Sequence, residues 1–187
     1  MHRAAMAVAL AAALGGQAMA HDGVVHATPA AATAHEAALP FPVRIEPRFS
    51  LTDQTGSPVT AADFRGRPMA VFFGYASCQA ICSVALPSLA AALDLLGPDG
   101  SEIAPVLITV DPARDTPQAM AQSLRAYSPR LIGLTGSETA LAEARAAFQV
   151  ETSQVAADPD GNPIFAHGSF IYLIGADGEV KTLVPLR

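Results

Sequence analysis

Met69-Ala70-Val71-Phe72-Phe73 is an unbroken apolar run that ends just before the only two cysteines of the chain, Cys78 and Cys82. A run this short with no polar side fits a strand covered on both faces. Ile103 to Val110 and Ser169 to Ile174 predict two more buried strands. Between them the apolar spacing changes to that of helices. Leu86, Leu89, Leu93 and Leu96 mark one helical face, stopped by Gly97-Pro98. Pro87 fits only a first helical turn, so that helix is expected to start near Val84 to Leu86, with Cys82 at or just before its N-terminus.

Asp111-Pro112 ends the second strand, and Asp115 or Thr116 is expected to cap a helix with Pro117 in its first turn, running to about Tyr127. Leu131 to Leu134 predicts a short strand. Ser137 opens a helix whose face is Leu141, Ala144, Ala147 and Phe148. Asp158 to Pro163 reads as a turn. Ala176-Asp177-Gly178-Glu179 turns the Ser169–Ile174 strand into an edge strand over Val180 to Val184. Upstream, Phe49 to Thr52 alternates like a half-buried strand, turned by Asp53 to Gly56. Strands alternating with helices and closed by a hairpin describe an α/β layered sheet. The chain is 51% apolar and 15% charged over 187 residues, which supplies a full core and argues against global disorder.

Residues 1–20 read as a cleavable export signal. His2 and Arg3 precede an apolar run from Ala4 to Leu14, and Ala18-Met19-Ala20 has the small-x-small form of a cleavage site. An uncleaved membrane anchor is the alternative, disfavoured because the run is shorter than the ~20 residues a bilayer needs. Residues 21–41 read as a flexible Ala/Thr/His tether, with His21, His26 and His35 as solvated linker residues or a loose metal-collecting arm. The folded domain is expected over 42–187. The net charge is −6 and Lys181 is the only lysine, so nothing resembles a phosphate-neutralising stripe and nucleic acid is excluded as a partner.

Export would put the cysteine pair in an oxidising compartment, where it is a disulfide, a redox centre or a metal site. As a staple it would close a very short loop, removing on the order of 2 kcal/mol of unfolded-chain entropy. Ligands of open α/β sheets bind at the carboxyl ends of strands. Cys78 and Cys82 follow one such end, Asp111 and Asp115 follow another, and His167 leads into a third strand. A helix N-terminus beside the thiols would lower their pKa. Two sulfurs and one imidazole suit copper in either common oxidation state; a structural zinc would want a fourth protein ligand. The alternative to ligation is a hydrogen-bonded His167, with Asp111 and Asp115 explained as strand-end turn and helix cap.

Over roughly Phe49 to Val180 the chain resembles the Sco/SenC family, thioredoxin-like copper proteins associated with assembly of cytochrome c oxidase. The resemblance rests on Phe49-Ser50-Leu51-Thr52-Asp53-Gln54-Thr55-Gly56, Phe64-Arg65-Gly66-Arg67-Pro68, and Phe72-Phe73-Gly74-Tyr75 with the Cys-x-x-x-Cys. Thr109-Val110-Asp111-Pro112-Ala113-Arg114-Asp115-Thr116-Pro117 and His167-Gly168-Ser169-Phe170-Ile171-Tyr172-Leu173-Ile174 complete it, with His167 85 positions after Cys82. It implies a thioredoxin-like central mixed sheet flanked by helices, to which this chain's own pattern adds a C-terminal β-hairpin and no long C-terminal helix. It implies copper, Cu(I) or Cu(II), held by Cys78, Cys82 and His167, with Asp111 and Asp115 as an accessory acidic feature at a partner surface.

Gln79, Ala80 and Ser83 stand where the family usually has proline after each cysteine and an acidic residue between them, so a more mobile loop is expected. The chain stops at Arg187, where relatives continue into a terminal helix; a less covered sheet face or edge, or one closed by a partner, is expected.

Two functions follow from the resemblance. One is a periplasmic copper chaperone that loads a copper-accepting subunit of a respiratory oxidase, or another periplasmic copper protein, by thiolate ligand exchange. Membrane contact would come only through the acceptor unless the signal stays uncleaved. The alternative is a thiol–disulfide oxidoreductase that reduces the acceptor's cysteines through Cys78 and Cys82. Dedicated redox motifs have two intervening residues rather than three, which leans toward metal. A peroxiredoxin-like peroxidase lacks a recognisable arginine near the first cysteine.

Overall fold

A computed structural model of the protein describes residues 45–76 and 82–186, with only the backbone course given at Cys82 and Ser83. The export signal, the tether with His21, His26 and His35, and Cys78 lie outside the described residues. No helix among the described residues is long and apolar enough to cross a membrane.

The Met69 run forms β3 (Met69–Gly74), every residue of which is buried. Beside it, in parallel, lies the equally buried β4 (Ala104–Thr109), with Phe72 opposite Leu107 and Phe73 opposite Ile108. Parallel neighbours cannot be joined by a tight turn. The crossover from β3 to β4 is α1 (Cys82–Leu95) followed by the short α2 (Pro98–Glu102). From β4 the chain passes through α3 (Pro117–Arg125) to β5 (Ile132–Thr135), also parallel. β1 (Ser50–Asp53) pairs antiparallel with β5 and β2 (Pro58–Thr60) with β1.

After α4 (Glu138–Phe148) comes a feature the sequence reading treats only as a turn. β6 (Ser153–Ala157) and β7 (Pro163–Ala166) form a separate two-stranded hairpin around Asp158 to Asn162. The chain then enters β8 (Phe170–Ile174), antiparallel to β3, and ends the sheet with β9 (Val180–Pro185). The seven-stranded order is β2-β1-β5-β4-β3-β8-β9. This is the expected mixed sheet flanked by helices, closed by a C-terminal hairpin whose last strand is an edge.

Successive strand residues face opposite sides of a sheet, so Phe72 and Phe73 serve different layers. Phe73 makes edge-to-face contacts with Phe148 of α4 at 5.2 Å and Tyr172 of β8 at 6.1 Å, and Phe148 meets Tyr172 at 5.3 Å. On β5, Gly133 lets α3 approach closely, because a Cβ there would come within 2.7 Å of Leu124 and Met120.

Two expectations about helices need correction. α1 begins at Cys82, earlier than Val84, and Pro87 sits inside it rather than in its first turn. Burial of Leu86, Leu89 and Leu93 offsets the lost backbone bond. Leu96 is 54% exposed because the helix has ended before it, at Leu95; Gly97, at a φ of 59°, turns the chain into α2. The aromatic triad gives a direct test of the core. Phe73→Ala should cost about 3–5 kcal/mol, read as a lower urea midpoint with an unchanged slope; a loss under 1 kcal/mol would contradict this packing.

Candidate metal centre

Because β8 runs opposite to β3, its beginning lies beside the end of β3, with Ile171 opposite Phe72. Gly74, the last residue of β3, is level with Thr109, the last of β4. Three segments therefore arrive at one edge of the sheet: Tyr75-Ala76 on the way to the cysteines, Val110 to Asp115, and Ala166-His167 leading to β8.

A buried polar chain joins the first two. The Asp115 carboxylate accepts at one oxygen, Oδ2, from the Thr109 hydroxyl at 2.6 Å and from the Ala76 N–H at 2.8 Å. The Thr109 hydroxyl in turn accepts from the Asp111 N–H at 2.9 Å. Asp111 and Asp115 are each only 2% exposed. Burial pushes the Asp115 carboxyl above the ordinary aspartate value, against the pull of its two hydrogen bonds; repulsion from Asp111 adds to the rise and the Arg114 charge opposes it.

The structure decides between the two caps expected for α3. Thr116, not Asp115, caps α3, its hydroxyl accepting from Ala119 N–H at 3.2 Å. Both aspartates turn inward and are buried. Asp115 ties the segment before the cysteines to the end of β4, and Asp111 forms an ion pair with Arg114.

Arg114 reaches the strand that leads to the third segment. Its Nη2 donates to the Pro163 carbonyl at 2.7 Å, at the start of β7, and its guanidinium carbon lies 5.2 Å from the centre of the Tyr75 ring. Tyr75 is buried, as expected of a packing residue, and makes edge-to-face contacts with Phe165 at 5.9 Å and His167 at 6.1 Å. Phe72 meets the His167 ring at 5.6 Å. The sequence reading found no arginine near the first cysteine, yet Arg114 stacks on Tyr75, three positions before it. Its charge is already engaged by Asp111.

His167 is half-buried, with Nδ1 3.2 Å from the Gly168 carbonyl. A carbonyl only accepts, so that contact calls for an Nδ1–H tautomer and puts the ring's lone pair on Nε2, the atom suited to a metal. The ring borders a cleft of about 580 Å³ that Phe148, Val150, Phe170 and Leu183 help to line. Cys82 is the first residue of α1, whose first turn holds no acidic residue, so the unpaired N–H groups there are not neutralised by a carboxylate of that turn. Among the described residues no three His, Cys, Asp or Glu side chains converge as a metal cluster. Cys78, which completes the expected set, lies outside them.

Residues 37–187 match the sequence model of the SCO1/SenC family. The chain belongs to that family. It is 36% identical over 138 residues to an SCO2-like protein of Rickettsia conorii, covering 73% of this chain and 67% of that one. It is 41% identical over 132 residues to the mitochondrial SCO2 homologue of Mus musculus, covering 70% of this chain but 52% of that one. The structure of Bradyrhizobium japonicum ScoI with copper bound superposes at a TM-score of 0.70 and 34% identity, over 74% of this chain and 88% of that one. Yeast Sco1 with copper bound gives 0.69 at 27% identity, over 76% of this chain and 80% of that one. The sheet described above is thus the thioredoxin-like sheet of Sco proteins.

The Asp115 network yields a prediction. Asp115→Ala leaves a buried N–H and hydroxyl without their acceptor and should cost about 1–3 kcal/mol in denaturant unfolding. Asp115→Asn can present its single oxygen to both donors and should cost less. Asp115 binds its proton more tightly folded than unfolded, so ionising it weakens the fold as pH rises from the ordinary aspartate value through the raised one. The stability of Asp115→Asn relative to wild type should therefore improve over that rise; a constant difference between pH 3.5 and 8 would contradict the assignment.

Proposed function

We propose that this protein is an exported copper chaperone, with Cys78, Cys82 and His167 as the ligands of its cargo. SCO1/SenC proteins are copper-binding proteins involved in cytochrome c oxidase assembly. The observation that carries the reading for this chain is that the half-buried imidazole of His167 stands at the sheet edge from which the cysteine segment departs. The donor set fits copper: thiolates are soft, an imidazole is borderline, and three donors satisfy a low-coordinate ion. Residues 1–20 act as a cleavable export signal and 21–41 as a flexible tether ahead of the domain. Work in the periplasm follows, and Asp111 and Asp115 serve as accessory residues that hold the site's shape.

Delivery proceeds by ligand exchange. Both cysteines give up their protons to bind the ion. A thiolate of the acceptor, the copper-accepting subunit of a respiratory oxidase, takes one coordination position as Cys78 or Cys82 leaves. A second thiolate repeats the exchange, so that no free ion is released. Membrane contact comes through the acceptor.

A reductase reading has one observation of its own, the place of Cys82 as the first residue of α1, where the helix terminus stabilises a thiolate. In that reaction the Cys78–Cys82 dithiol becomes a disulfide while an acceptor disulfide becomes a dithiol, two electrons and two protons passing through a mixed disulfide.

Copper-loaded protein should hold one ion per chain with sulfur and nitrogen neighbours by X-ray absorption. His167→Ala should weaken copper binding by more than the roughly 10–100-fold typical of changes to outer-shell partners and leave thiol exchange largely intact. Cys82→Ser should abolish both activities. Wild-type copper affinity in His167→Ala would defeat the ligand assignment, and rapid disulfide turnover by wild type without copper retention would put the reductase first.

A further inference from the structure

Hairpin β6–β7, which leads into His167, has little core of its own. Every residue of β6 is exposed, and the two strands pair only with each other. Near the site, Phe165 packs on Tyr75, and the polar tie to the body of the protein is made by Arg114. Arg114 bonds the Pro163 carbonyl with Nη2, binds the buried Asp111 carboxylate with Nε, and lays its flat face against Tyr75. Tyr75 in turn holds Phe165 and His167 edge-on. Asp111 is fixed from behind by its own N–H to Thr109. The guanidinium thus touches the Tyr75 segment, the Asp111 segment and the start of the strand that leads to His167, with its side chain 25% exposed.

We propose that Arg114 is the positioning residue of the centre, clamping the hairpin so that His167 is held ready opposite the cysteine segment. The inference rests on the copper reading above. Arginine is required because one planar group must serve a carboxylate, a carbonyl and an aromatic face together; a lysine ammonium is a point charge on a flexible stem. With the clamp open, the hairpin samples arrangements in which the imidazole is misplaced. Apparent affinity falls by the fraction of time the competent arrangement is present.

The test is Cu(I) affinity of the full chain, measured by competition with a chromophoric chelator, for Arg114→Met and Arg114→Lys, each alone and combined with His167→Ala. Circular dichroism and thermal unfolding of the metal-free proteins establish that the variants are folded. Should Arg114→Met not fold, Arg114→Lys carries the comparison. Both single variants should bind roughly 10-fold more weakly than wild type, the loss expected if the competent arrangement falls to about a tenth. In the His167→Ala background the same changes should cost nothing further, because a residue acting through the imidazole has no effect once it is gone. Wild-type affinity in folded Arg114→Lys overturns the proposal. So does a loss of equal size with and without His167, which would mean general loosening. Failure of the wild-type protein to take up Cu(I) overturns the parent reading instead, and is recognised before any variant is compared.

Discussion

The antiparallel pairing of β8 with β3 is the constraint from which the rest of the site follows. β3 is buried along its whole length, so it must be covered in front and behind and flanked on both sides. On one side it takes β4 in parallel, which puts the ends of both strands at one edge. On the other it takes β8 in reverse, which puts the start of β8 at that same edge. Residues about ninety positions apart in sequence then meet with no device beyond strand direction. Moving the β8 register by one residue would turn Tyr172 away from Phe73 and Phe148, so the aromatic core that stabilises the sheet also fixes where His167 arrives.

The edge is organised by buried charge, an expensive material. Asp111 and Asp115 are out of water, and an isolated carboxylate there would not remain ionised. Each is compensated differently. Asp111 has the guanidinium of Arg114. Asp115 has two neutral donors, and they do not fully offset its desolvation, which is why its proton is held more tightly than usual. What the fold obtains is directional: one carboxylate oxygen fixes Ala76, two residues before Cys78, against the end of β4, with no glycine or proline at that point. Ala76, the last described residue before the cysteines, is held in place by its hydrogen bond to Asp115.

Most of the sheet was legible in the sequence because its signals are local. The apolar runs at Met69, Ile103 and Ser169 became β3, β4 and β8, and the Ala176–Glu179 turn produced the edge strand β9. Helix α4 followed its Leu141, Ala144, Phe148 face. Hairpin β6–β7 was not legible, because β6 is wholly exposed, β7 is only partly buried, and neither carries an alternation for a periodicity to reveal. At the site, the strand-end positions of His167, Asp111 and Asp115 could be read, but not what the carboxylates do. Asp115 stands beside Thr116 before a proline, and either would serve as a cap; only the long-range contact with Ala76 decides for Thr116. Arg114 was visible within its motif, yet its partners Tyr75 and Pro163 lie 39 and 49 positions away, beyond any local rule.

The site's parts are mounted on elements of unequal firmness. Cys82 belongs to a helix of 14 residues, and the segment before Cys78 is pinned to β4 by a buried carboxylate. His167 instead follows a hairpin whose β6 strand is wholly exposed and whose β7 strand is only partly buried, and elements with few buried contacts open at low free energy. That inequality suits the proposed copper delivery, in which an ion is bound tightly and then surrendered. Ligands on rigid supports hold by preorganisation, whereas a ligand on a hinged support can leave first and open a coordination position without disturbing the core. The Arg114 contacts lie between the two kinds of support, which is where the proposed clamp on the imidazole would act.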